Sequence, residues 1–157
     1  MADPASPVSW AALELIQQRL AGITVARGYY TDLGAGVITL DPRVQRKPDD
    51  GIFTLITGEG ISDNDAASGT RTTVSDMDIV IEAVIPFDAL ENPALIAHRA
   101  RADLCRALRD GVRDAAQGLR SLKTTGSNFT IGTDGEAVVI AQVTARAGLA
   151  ETIPPAP

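Results

Sequence analysis

Histidine and cysteine are almost missing from this chain: His98 and Cys105 are single occurrences. One cysteine excludes an internal disulfide and cannot build a zinc site by itself. One histidine leaves little room for a nucleophile–base pair, because a Ser, Thr or Cys must lie beside the base that activates it. Aromatic residues make up 4% of the chain, so any core is built from Val, Ile, Leu and Ala. No apolar run approaches the ~18 residues that signal a bilayer-spanning helix. The opening "MADPASPVSW" has neither the basic nor the apolar region of a secretion signal. The expectation is a soluble, cytoplasmic chain with no membrane partner.

What is present suffices for one domain. The chain has 157 residues and is 45% apolar, close to the usual domain size of ~100–150 residues. Its net charge of −6 is unevenly spread. Residues 1–97 hold 6 Lys/Arg against 14 Asp/Glu, whereas residues 98–123 hold 7 against 3. An acidic body is ill suited to gripping nucleic acid broadly, since phosphate affinity needs clustered cations in a favourable field. Patches of opposite sign instead suit association between copies.

Ser6-Pro7 offers an N-cap with proline at the first helical position, and Trp10, Leu13, Ile16, Gln17 and Leu20 recur at helical spacing. This predicts a helix over about 7–21, stopped by Gly22. A turn-rich segment from Gly28 to Gly36 leads into a short β-branched run, Val37 to Leu40, which Asp41-Pro42 ends. After a polar link (43–51), "IFTLIT" (52–57) reads as a strand. "GEGISDNDAASGTRTT" (58–73) is too polar to offset its ordering entropy by burial, and reads as a mobile hairpin loop. In "VSDMDIVIEAVIPF" (74–87), Met77, Ile79, Ile81, Ala83 and Ile85 share one strand face, opposite Asp76, Asp78 and Glu82. Asn92-Pro93 caps a helix reaching about residue 116. Its apolar stripe is Ile96, Ala100, Leu104, Ala107, Leu108, Val112 and Ala115. "LKTTGSNFTI" and "AVVIAQVTARA" read as strands around a "GTDGEA" turn, and residues 151–157 as a loose proline-rich tail. The expected fold class is α+β: a single-layer antiparallel or mixed β-sheet with two main helices packed on one face, over residues 1–150.

Candidate chemistry is sparse. His98 lies among helical arginines, and Cys105 sits beside the buried stripe as a small hydrophobe. Asp76, Asp78 and Glu82 are the best carboxylate set: alternate strand positions lie ~6.5–7 Å apart, which suits either a hard cation or a plain polar face. "GAG" (34–36) and "GEG" (58–60) lack the strand–glycine–helix setting of a nucleotide fingerprint. No catalytic, metal or cofactor site is assigned. A small metal- or ligand-binding domain, or an enzyme using Asp76, Asp78 and Glu82, is the alternative from another class.

Several stretches together carry a resemblance: "WAALELIQQRLAGI", "GYYTDLGAGV" entering a strand, "PDDGIFTLI", "DIVIEAVIP", "NPALIAHRARADLCRALR" and a hairpin ending "VVIAQVTARA". Over residues 8–150 this layout resembles the tail terminator (tail completion) proteins of long-tailed bacteriophages. The resemblance implies a non-enzymatic virion protein, assembled in the host cytoplasm and sited at the neck-proximal end of the tail. There a ring, six-membered in such proteins, caps the tail tube, stops its polymerisation and provides the surface for head–tail joining. A head–tail connector subunit of the neck has a similar build. Implied partners are sibling copies, the tube protein and a neck protein, with DNA passing through an acidic lumen unbound. On that reading Arg99, Arg101, Arg106 and Arg109 are expected to meet Asp76, Asp78 or Glu82 of the next copy. Tyr29 and Tyr30 are expected to lie at the sheet entry, under the interface or over the core. The 58–73 segment, with Glu59, Asp63, Asp65 and Arg71, is expected to contact a partner.

Overall fold

The computed structural model of the chain describes residues 6–64, 72–109, 118–132 and 136–152. Helix α1 spans Val8–Ala21 and buries Ala12, Leu13, Ile16 and Leu20, the side chains its spacing predicts. Its cap differs from expectation. Pro7 occupies the N-cap position without a side-chain bond, and the Val8 amide donates instead to Glu151 Oε1 at 3.4 Å.

One sheet carries the fold. Its strands are β1 (Val37–Thr39), β2 (Phe53–Asn64), β3 (Thr72–Pro86), β4 (Leu119–Gly132) and β5 (Val138–Thr152), in spatial order β1-β2-β3-β5-β4. β1 lies parallel to β2, and every other pair is antiparallel. The sheet is therefore mixed, and the α+β class stands.

The period-two pattern of β3 does what its chemistry requires. Met77, Ile79, Ile81, Ala83 and Ile85 are buried, paired across the ladder with Ala147, Ala145, Val143, Ala141 and Val139 of β5. Against this row pack α1 and α2 (Pro93–Arg109), the latter through Ala97, Ala100, Leu104, Ala107 and Leu108. Asn92 Oδ1 accepts the Ala94 amide at 3.1 Å, as its position before the helix predicts. Val112 and Ala115 of the expected stripe lie outside the described residues. Among the described residues no helix is long and apolar enough to cross a membrane.

Two boundaries depart from the sequence reading. Of the 58–73 segment, residues 58–64 and 72–73 are strand, since β2 runs on to Asn64 and β3 begins at Thr72, paired from Asn64↔Val74 downward. Residues 65–71 lie outside the described residues. Composition reports what side chains can bury, whereas an antiparallel ladder satisfies backbone groups whatever the side chains are. The register shifts between Gly58 and Gly60, leaving Glu59 as the extra residue of a bulge. At the other end, Glu151 and Thr152 belong to β5 rather than to a loose tail, and residues 153–157 lie outside the described residues.

Candidate functional site

The tyrosine loop is not a simple hairpin. Gly28 caps one 3-10 turn (Val25–Arg27), and the segment to Gly36 holds the whole of a second (Leu33–Ala35). Of its three glycines only Gly28 is left-handed, with φ 88°. Gly34 and Gly36 are required by close approach: a Cβ at Gly34 would collide with the Ala21 carbonyl, and one at Gly36 with the Ile52 carbonyl.

Helix α2 holds this loop from below. Asp103, only 1% exposed, accepts the Tyr30 amide at 3.0 Å, the Thr31 amide at 2.7 Å and the Thr31 hydroxyl at 2.8 Å. One turn further on, Arg106 Nη1 donates to the Gly28 carbonyl at 3.0 Å, and its guanidinium carbon sits 4.4 Å from the Tyr29 ring centre. Tyr29 packs on the core, while Tyr30 is 66% exposed. One tyrosine thus covers the interior and the other is offered outward. The sequence reading missed Asp103. Its signal was present, since an aspartate between Ala100 and Leu104 falls inside a buried helical stripe, where a carboxylate needs partners.

The remaining α2 cations are exposed. Arg101 Nε donates to Ser127 Oγ at 2.9 Å, and His98 packs on Phe129 with the rings tilted by 55° and centroids 5.1 Å apart. Arg99 and Arg109 face solvent. Asp76, Asp78 and Glu82 lie on the opposite face of the sheet, where Asp78 Oδ1 accepts from Arg146 Nε at 3.1 Å. The two sets proposed as partners therefore sit on opposite layers of one molecule, and Arg106 is engaged by its own chain. Among the described residues no three His, Cys, Asp or Glu side chains are grouped to hold a metal ion.

Glu59 and Asp63 are exposed on β2; Asp65 and Arg71 lie outside the described residues. A groove of about 620 Å³ between α1 and the chain after β1 is lined by Trp10, Glu14, Gln17, Leu40 and Asp41. On its rim Arg43, bonded to Asp41 at 3.0 Å, holds the Asp41 carboxyl below the usual carboxylate range. Below the sheet's lower end, Arg46 Nη1 donates to Glu136 Oε1 at 2.7 Å. The Arg46 side chain is 13% exposed, and its Nε and Nη2 are buried without hydrogen-bond partners among the described residues.

Comparison with known proteins gives a fold and no family. No protein-family model matches the chain, and no curated protein matches it. A chain of a solved structure described as "Virion of native gene transfer agent (GTA) particle" is similar, with a TM-score of 0.65 and 20% identity. The likeness covers 95% of this chain and 100% of that one.

Proposed function

We propose that this chain is a structural virion protein that assembles as a ring, hexameric in the resemblance noted above, at the upper end of a phage-like tail. The ring stops tube growth and joins tail to head. The observation that supports this most is the end-to-end fold likeness to a chain of a virus-like particle.

The geometry is compatible with a part that works through its surfaces. The loop bearing Tyr30 is anchored from α2 and presents that ring outward, as a contact residue with an apolar body and a polar tip requires. The single histidine packs against Phe129 and the single cysteine is half-buried beside the core. The excess of acidic residues suits a lumen that repels DNA phosphates and lets the duplex slide.

The test is loss of the gene product in particles imaged by electron microscopy. Overlong tubes without heads support the terminator reading. Tubes of normal length that fail to join heads favour the neck connector. Normal joined particles, with this chain absent from purified virions, overturn both.

A further inference from the structure

The sheet ends in two unlike free edges. β1 covers only Phe53–Leu55 of β2, so on that flank residues 56–64 meet no backbone partner among the described residues. The other flank is β4, a 14-residue strand paired on one side only. Long unpaired strands are templates for another chain, and proteins normally blunt or cover them. Here β1 is blunted, being three residues long with its Ile38 carbonyl taken by Gln17. The upper half of β2 carries the Glu59 bulge, and the upper half of β4 two register shifts, Arg120 and Lys123. Neither edge is covered by a strand among the described residues, however, and β4 from Gly126 to Gly132 is regular and uncharged.

We infer that these edges pair with each other between copies: β2 residues 56–64 of one chain add, antiparallel, to the lower half of β4 in the next. This rests on the ring reading above and names its contact surface. Three observations carry it. First, strand direction fits. β2 and β5 run one way and β3 and β4 the other. Copies rotated about an axis roughly along the strands keep those directions, so an incoming β4 meets β2 antiparallel, the more stable pairing. Two different edges make a head-to-tail contact, the kind that closes into a ring.

Second, sterics choose the register. β1 occupies the ground beside Phe53–Leu55, so the incoming strand must stop near Ile56. Gly132, the end of β4, falls there, and Ile61 falls beside Ser127 and Phe129. Third, the side chains brought together match. Ile61 is 53% exposed, although its partner Met77 places it on the helix-bearing face. Phe129 and Ile131 lie on that same face, 36% and 45% exposed. β2 carries Glu59 and Asp63 and no cation, whereas β4 carries no acid and Ser127 holds Arg101 beside it. Apolar meets apolar, and acid meets base. In this arrangement Arg101 reaches acids of the neighbouring copy, but they are Glu59 and Asp63 rather than Asp76, Asp78 and Glu82, which a continuous sheet keeps on the far face.

The experiment uses the full chain with Cys105→Ala as background. Ile61→Cys is made in one preparation, and Ser127→Cys or Phe129→Cys (for a two-residue slip) in another. Each is oxidised at millimolar concentration and followed by native mass spectrometry and non-reducing gels. Neither preparation alone is expected to crosslink. The mixture gives covalent dimers, and a chain carrying both cysteines gives a ladder that ends at the ring size. Self-crosslinking of a single variant means a two-fold contact and overturns the proposal. Oligomers without any mixed crosslink overturn it too, while leaving the ring reading standing; a monomer at every concentration removes both. As an independent arm, Asp63→Lys weakens association by at least ~tenfold and adding Arg101→Glu restores it. Failure of the double reversal to recover association counts against the pairing.

Discussion

Asp103 and Thr31, 72 positions apart in the chain, are joined twice: the Thr31 amide and hydroxyl both donate to Asp103 Oδ2, at 2.7 and 2.8 Å. With the Tyr30 amide on the other oxygen, one buried carboxylate fixes the loop that leads into the sheet. Asp103→Asn replaces one acceptor oxygen by a donor, leaving a loop amide unpaired. The expected loss is ~1–3 kcal/mol, read as a lower melting temperature and faster hydrogen exchange at Tyr30 and Thr31. Thr31→Val removes only the hydroxyl bond and should cost less. Unchanged exchange at both amides would show that the carboxylate is not what holds the loop.

Glycine positions separate close approach from mere flexibility. Gly34→Ala drives a methyl into the Ala21 carbonyl at the end of α1, and ~1–3 kcal/mol of destabilisation is expected. Gly60→Ala, with nothing within 4 Å of the new carbon, should stay within ~0.5 kcal/mol of wild type. Chemical denaturation of the two variants side by side checks this, and equal stability would refute the packing argument.

Asp78 and Arg146 form an ion pair in which both side chains are more than half exposed. Water and salt screen such a pair, so Asp78→Asn should change stability by no more than ~1 kcal/mol. A melting temperature that fell steeply would assign that face a structural role beyond an exposed polar surface.

Arg46 and Glu136 behave differently, because Arg46 is mostly buried and two of its nitrogens have no partner among the described residues. Glu136→Gln removes the balancing charge and is expected to destabilise by ~1–3 kcal/mol. Arg46→Met, of similar length, removes the buried charge altogether and should be neutral or stabilising. The reverse order in a thermal-shift comparison would mean that the pair is a net stabiliser.

The sequence made some elements plain and hid others for physical reasons. β3 was legible because a strand with one buried face writes its period directly into its side chains, from Met77 to Ile85. α1 and the body of α2 were legible for the same reason at helical spacing. The upper part of β2 was not, since Glu59 to Asp63 gain order from ladder bonds that leave no trace in composition. Asp103 was hidden because its meaning depends on backbone groups at Tyr30 and Thr31. No local pattern encodes a contact that distant. Nor does any local pattern place β5 between β3 and β4, and that placement is what puts β4 at an edge. The arginine stripe was seen, but the packing splits it: Arg106 lies over Tyr29 of its own chain, and Arg101 leans toward β4.

The interior position of β5 also bears on how the protein is made. It is the last of the described strands to leave the ribosome, yet it lies between β3 and β4 and meets α1 through Val8 and Glu151. Until it emerges, the apolar row of β3 has no strand on its second flank, and β4 has no strand to pair with. Closure therefore waits on a late strand and is dominated by distant pairings, which are slow to form and leave sticky intermediates. A nascent chain stalled before residue 138 would present Met77 to Ile85 as a chaperone substrate.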